Sequence, residues 1–312
     1  EHEVLRFRYG EVVTAEIQRV REGNSGYSPV RGVLSFGTAP VELPASAVTL
    51  AHGTISVLEW DRWKELFERH DEIAALSGQS GRGIKAALLT DRIDLNLHIG
   101  RLDFLGSRFN EFVLDASKQG GIWRTSVASK EVTGDINWDA GRKKAYARLK
   151  KLVMPEAIPE SDLAAEKKNQ PRDWPVMDLH ADKFLVGEKL LGKLELLAHQ
   201  QKDGWHIDKL QIMHADSSLL VQGVWQNRIA PFQMQAEVKL QARSIGKFLT
   251  RLGYPGRIAR GKGKLEGSLA WIGKPFSIDF PSLSGDLQVT AQRGQFTKFK
   301  PGVSKLLGIF DL

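Results

Sequence analysis

The sequence contains no cysteine. That absence removes disulfides, thiolate nucleophiles, iron–sulfur clusters and cysteine-ligated zinc. It does not fix the compartment, because a cysteine-free chain is stable in any redox environment. No apolar run approaches the ~20 residues that cross a bilayer as a helix, and no secretory leader opens the chain. A dominant charge sign is lacking too: 44 Lys+Arg stand against 37 Asp+Glu, a net +7 over 312 residues. Such a balance permits an anionic partner, lipid headgroups or nucleic acid, without demanding one. Glu1-His2-Glu3 leads straight into patterned sequence, and Leu306 to Leu312 stop inside an apolar stretch. The expectation is a piece of a longer protein whose anchor or targeting segment lies elsewhere.

Catalytic signatures are equally scarce. Gly78-Gln79-Ser80-Gly81-Arg82-Gly83 is glycine-rich, but it lacks the Gly-Lys-Ser/Thr of a phosphate loop and the helix that follows a dinucleotide fingerprint. Gly23-Asn24-Ser25-Gly26 is a turn sequence rather than a nucleophile elbow. His199, His206 and His214 have no local metal-site spacing, and no carboxylate pair is marked for acid–base work. The expectation is therefore no enzyme, no metal and no cofactor. Arg257 to Lys264 is basic, yet it has no interleaved aromatics of the kind that stack bases, so nucleic acid is not the expected partner.

What is present is period-two alternation. Phe232, Met234, Ala236, Val238 and Leu240 alternate with Gln233, Gln235, Glu237 and Lys239. Ile93 to Ile99, Leu5 to Tyr9, Leu265 to Trp271 and Leu287 to Ala291 repeat the pattern. Strand side chains switch faces at each residue, so every run has one wet and one apolar face. One-sided alternation suits antiparallel sheet, since buried parallel strands read as continuous apolar runs. Turn sequences separate the runs: 22–26, Gln119-Gly120-Gly121, Lys202-Asp203-Gly204, Ser284-Gly285-Asp286 and Arg293-Gly294. With 42% hydrophobic residues the chain has material for a sizeable core.

Helix signals are few. Glu59 to Leu76 places Trp60, Trp63, Leu66, Phe67 and Ile73 near one helical face, which predicts a helix docked on a sheet. A second helix is predicted from an N-cap at Ser244 through Ile245, Phe248, Leu249 and Leu252 to a C-cap at Gly253. A third starts near Pro301. Residues 155–175 carry Pro155, Pro159, Pro171 and Pro175 and read as a linker or surface loop. It separates an N-terminal part, 1–154, from a C-terminal part, 176–312. A glycine–tryptophan echo crosses it: Gly121-Ile122-Trp123 and Gly134 to Trp138 on one side, Gly204-Trp205, Gly223 to Trp225 and Gly267 to Trp271 on the other.

Many strands and few helices leave apolar faces needing cover. Two sheets could bury each other in a sandwich, or one long sheet could curl so that its apolar face lines a trough about 26 Å wide for strands of about eight residues. Periodicity alone does not choose.

The C-terminal third carries a resemblance that does. Leu252-Gly253-Tyr254-Pro255, Gly261 to Trp271, Gly273-Lys274-Pro275, Leu283 to Leu287, Gly294-Gln295-Phe296, and Lys300-Pro301-Gly302 with Leu306-Leu307-Gly308 resemble the AsmA-like C-terminal region of the YhdP family. Asp203-Gly204-Trp205, Gly223-Val224-Trp225, Arg31-Gly32, Leu43-Pro44 and the Trp60/Trp63 segment fit the same pattern more thinly. The family's Leu-Pro-Arg-Arg-like continuation is absent. The resemblance implies a mainly β protein, a long antiparallel curled sheet forming a hydrophobic groove of the chorein kind, with a few short helices. It implies phospholipid as partner and passive lipid transport across the periplasm between inner and outer membranes. The full-length protein would be anchored in the inner membrane of a Gram-negative bacterium. The expected lipid-binding floor includes Phe232, Met234, Val238, Leu265, Leu269, Trp271, Ile278, Phe280, Leu287 and Val289. The competing expectation is a β-sandwich that holds envelope partners together without conducting lipid.

Overall fold

In a computed structural model of the chain, the described residues are 2–21, 27–60, 62, 90–104, 107–154, 174–228, 231–256 and 258–296. Most of the helix expected over 59–76, the one expected near Pro301, the 155–175 linker apart from its last two residues, the 22–26 turn and the 78–83 segment lie outside them. The described chain is mainly β. Its strands follow one another in the sheet in sequence order, β1 to β16, and the end strands do not pair to close a barrel. Two compact units divide it, Glu1–Leu152 and Val153–Leu312.

The first unit holds β1 (His2–Tyr9), β2 (Val13–Arg21), β3 (Tyr27–Phe36), β4 (Thr49–Glu59), β5 (Ile93–Phe104), β6 (Ser107–Gln119), β7 (Ile122–Ala128), β8 (Val132–Asp139) and β9 (Lys144–Met154). Adjacent strands are antiparallel except β3–β4 and β4–β5, which are parallel. This departs from the expected wholly antiparallel sheet. A two-residue turn reverses the chain, whereas a parallel neighbour needs a longer return path. Here residues 37–48 supply the first return. Arg31 Nη1 donates to the Pro44 carbonyl at 3.0 Å, and Ser35 Oγ donates to the Pro40 carbonyl at 2.7 Å. Val33, beside Ser35 on β3, is 0% exposed.

The second unit holds β10 (Val176–Val186), β11 (Lys189–Gln200), β12 (Trp205–His214), β13 (Ser217–Gln226), β14 (Gln233–Ala242), β15 (Ile258–Ile272) and β16 (Ser284–Phe296), with helix α1 (Ile245–Arg251) between β14 and β15. From β10 to β16 each strand pairs antiparallel with the next. The predicted N-cap is present: Ser244 is extended and its hydroxyl accepts from the Lys247 N–H at 3.5 Å. The helix ends one residue earlier than expected, with Leu252 as C-cap and Gly253 following at φ +93°. Ser284-Gly285-Asp286 and Arg293-Gly294, read as turns from the sequence, lie inside β16. Glycine serves a close strand approach as readily as a turn, and residue identity alone does not distinguish the two.

In both units register stacks like with like. Across the first, Phe7, Ala15, Leu34, Ala51, Leu95, Ala116, Thr125, Ile136 and Ala147 form one transverse row. On the opposite face, Arg8, Thr14, Ser35, His52, Asn96, Asp115, Ser126, Asp135 and Arg148 form the neighbouring row. A one-residue slip would exchange the two faces, so the hydrophobic pattern pins the register.

Candidate functional site

The second unit shows the apolar face most completely. Leu179, Leu196, Leu210, Val221, Val238, Gly267 and Leu287 lie side by side from β10 to β16. Ala181, Leu194, Ile212, Leu219, Leu240, Leu265 and Val289 form the next row. The other face carries His180, Glu195, Gln211, Leu220, Lys239, Glu266 and Gln288 in register. Strands are spaced about 4.8 Å apart, so these rows make an apolar strip about 29 Å long running across the strands.

Burial along the strip is incomplete. Leu194 and Leu196 are buried, but Leu210, Leu219, Val221, Val238, Leu240, Leu265 and Leu287 are half-buried and Val289 is 54% exposed. A packed sandwich core would bury these side chains against a second layer. In this unit the strip is instead left partly open along its centre.

Its two margins are closed differently. At one margin Trp205, Trp225, Met234 and Trp271 sit in register on β12 to β15, and all are buried. Trp174 packs edge-on against Trp205 and Trp225, each at 4.8 Å between ring centroids, and Phe276 stacks on Trp174 at 6.3 Å. Trp205 Nε1 donates to the Pro175 carbonyl and Trp271 Nε1 to the Lys274 carbonyl, both at 2.9 Å. The indole N–H of Trp225 meets no acceptor among the described residues. The aromatic margin is thus a dry wall whose polar edges are mostly satisfied by the loops that cover it.

At the other margin α1 lies over the strand ends. Gly263 pairs with Ala242, and a Cβ at Gly263 would stand 3.0 Å from the Ile245 side chain, so a larger residue there would push Ile245 aside by a few tenths of an ångström. Arg251 ties the helix down. Its Nη2 donates to Asp216 Oδ1 and, at 2.7 Å, to Ser217 Oγ, while Nη1 reaches the Leu190 and Leu191 carbonyls at 3.2 and 3.4 Å. His214 Nδ1 lies 2.9 Å from the same Asp216 oxygen. Burial alone would raise the Asp216 pKa, but hydrogen bonds from Arg251, His214 and Ser217 outweigh it and hold the carboxyl below its ordinary value.

A carboxylate with a depressed folded pKa stabilises the fold above its unfolded pKa of about 4 and loses that contribution as the pH falls through the folded value. Asp216→Asn should therefore cost about 2–3 kcal/mol at pH 7, by leaving Arg251 buried without its counter-charge. The deficit relative to the parent should shrink below pH ~4. Urea unfolding at pH 7 and pH 3 checks this; an equal deficit at both would contradict the latch.

The residues expected on the floor separate into three groups. Val238, Leu265, Leu287 and Val289 lie on the two apolar rows, and Leu269 lies on the next row of the same face, paired with Ala236. Met234 and Trp271 belong to the aromatic wall, and Phe232 packs against it, 6.5 Å from Trp225. Ile278 and Phe280 lie off the strands, in the β15–β16 connection, 47% and 74% exposed; Pro281 and the Asp279 cap set a 3-10 turn there. The sequence reading missed Leu179, Leu196, Leu210, Ile212, Leu219 and Val221. The alternation of Leu219 and Val221 is broken by the apolar Leu220, and a bulge between Ile207 and Leu210 shifts the phase of β12.

Among the described residues no cluster of three or more His, Asp or Glu could hold a metal ion, and no helix is long and apolar enough to cross a membrane. Comparison with curated proteins and with solved structures returns no match. A family model, described as YhdP protein, matches residues 2–312. That family consists of bacterial envelope proteins and points to a role in envelope lipid transport. With practically its whole length matched, and with the unclosed sheet and its apolar face, the chain belongs to the YhdP family.

Proposed function

We propose that the chain binds phospholipid acyl chains on its apolar strips and conducts them passively across the periplasm between inner and outer membranes. The headgroups would stay at the wet margins. The carrying observation is the strip of the second unit, apolar without interruption from β10 to β16, half-buried along its centre and backed by a polar face. An acyl chain laid there gains about 0.8 kcal/mol per buried methylene, so a dozen methylenes supply about 10 kcal/mol. Continuity of the floor therefore matters more than any single polar contact. The function needs no catalytic group.

The competing role, an assembly module without lipid, draws no support from a sandwich, because the strands form one sheet in sequence order. Organic extraction of the purified chain followed by mass spectrometry separates the two. Stoichiometric co-purified phospholipid is the expected result. A lipid-free protein that also fails to take phospholipid from vesicles would end the conduit reading.

A further inference from the structure

We propose that Lys118, with Trp123 and Trp138, forms a station for the phosphate of a phospholipid whose acyl chains lie on the floor of the first unit. The proposal rests on the lipid reading above and adds a named headgroup site to it.

The station is a register row. Ile93, Lys118, Trp123 and Trp138 are consecutive partners on β5, β6, β7 and β8, near the strand ends. Alternation puts Lys118 on the same face as Leu114 and Ala116, so a cation stands at the margin of the apolar floor. Directly paired strand residues have Cβ atoms about 4.5–5.5 Å apart, so Lys118 and Trp123, and Trp123 and Trp138, are immediate cross-strand neighbours.

Lys118 and both tryptophans are half-buried rather than covered. None of the three has a protein hydrogen-bond or ion-pair partner among the described residues. The carboxylates on the neighbouring register rows, Asp94 and Asp139, are engaged elsewhere, while Asp91 lines the adjacent cleft. Asp94 takes Arg92 at 3.1 Å, and Asp139 accepts from the Arg142 N–H at 3.0 Å. The row thus offers one ammonium and two indole N–H donors, with no acceptor assigned to them.

The contrast with the second unit is informative. There the matching tryptophans, Trp205 and Trp225, also pair across adjacent strands, but they are 0% exposed beneath Trp174 and Phe276. The same glycine–tryptophan pattern therefore yields a sealed wall in one unit and an open margin with a cation in the other.

An open cleft of about 310 Å³ adjoins the row, lined by Pro29, Val30, Asp91, Arg92, Gln119 and Gly120 among others. Arg92 and Gln119 are the chain neighbours of Ile93 and Lys118. The corner thus combines an apolar floor, a cation on its stem, interfacial indoles and a recess of mixed polar and apolar lining. Lysine stems lie along apolar surface while their ammonium groups reach water, and indoles favour the boundary between acyl chains and headgroups. A phosphodiester, with its anionic oxygens at the glycerol end of two acyl chains, is complementary to all of these features.

The test loads the full chain from an equimolar mixture of phosphatidylglycerol and diacylglycerol with identical acyl chains and reads the bound ratio by mass spectrometry. The parent should favour phosphatidylglycerol. Lys118→Gln should lower the ratio about tenfold, the worth of one charge-assisted hydrogen bond, while diacylglycerol loading persists. Lys118→Arg should restore the preference, which a merely structural effect would not do. A ratio unchanged in Lys118→Gln overturns the station and leaves the conduit standing. Failure of the parent to load either lipid overturns both.

Discussion

Val238→Arg is expected to abolish lipid movement through the second unit while leaving the chain folded. Val238 lies mid-strip, paired with Val221 on one side and Gly267 on the other. It is half-buried, so a guanidinium there can reach water by bending along the floor instead of unfolding the sheet. For an acyl chain the change is severe. A charge in its path must be desolvated or bypassed, and either costs several kcal/mol against a gain of about 0.8 kcal/mol per methylene. Transfer between donor and acceptor vesicles, or restoration of the envelope barrier in cells, should fall at least a hundredfold. The unfolding midpoint should move by no more than a few degrees. Leu269→Asp, one row closer to the aromatic wall, should behave alike. Unimpaired transfer in both variants would remove the floor from the account.

The second large effect is on stability. Gly223 lies on the floor face between Ile207 and Ala236, two residues before Trp225. A Cβ there would collide with the Gln235 carbonyl oxygen and stand 2.9 Å from both the Ala236 Cα and the Met234 terminal methyl. Two of these three obstacles are backbone of the neighbouring strand and cannot rotate away. The third belongs to Met234, 1% exposed within the aromatic wall. Gly223→Ala should therefore cost about 3 kcal/mol or more, through lost strand pairing and displacement of Met234 from Trp225 and Trp271. Urea titration followed by tryptophan fluorescence reads both effects. A loss below about 1 kcal/mol would show that β13 and β14 can separate without penalty.

Much of this architecture was legible in single residues. The alternation of β14 identified Met234, Ala236, Val238 and Leu240 as one face, and Ser244 marked the start of α1. Strand direction was not legible, because alternation looks the same whichever way a strand runs. The parallel pairs β3–β4 and β4–β5 were accordingly missed. The glycines in Ser284-Gly285-Asp286 and Arg293-Gly294 suggested turns, while the strand continues through both. The role of Lys118 depends on register, which brings it beside Trp123 and Ile93; nothing local to Ser117-Lys118-Gln119 announces it. The tryptophan echo was visible as a pattern. Its division into a buried row and an open one follows from Trp174 and Phe276, distant in sequence from the residues they cover.

The central claim is that one face of the sheet touches acyl chains and the other does not. Photo-crosslinking residue by residue along β14 in living cells tests this most directly. The account predicts lipid adducts at Val238 and Leu240 and none at Gln235, Glu237, Lys239 and Gln241, a period of two matching the alternation of the strand. Adducts at neither set, or equally at both, would contradict it.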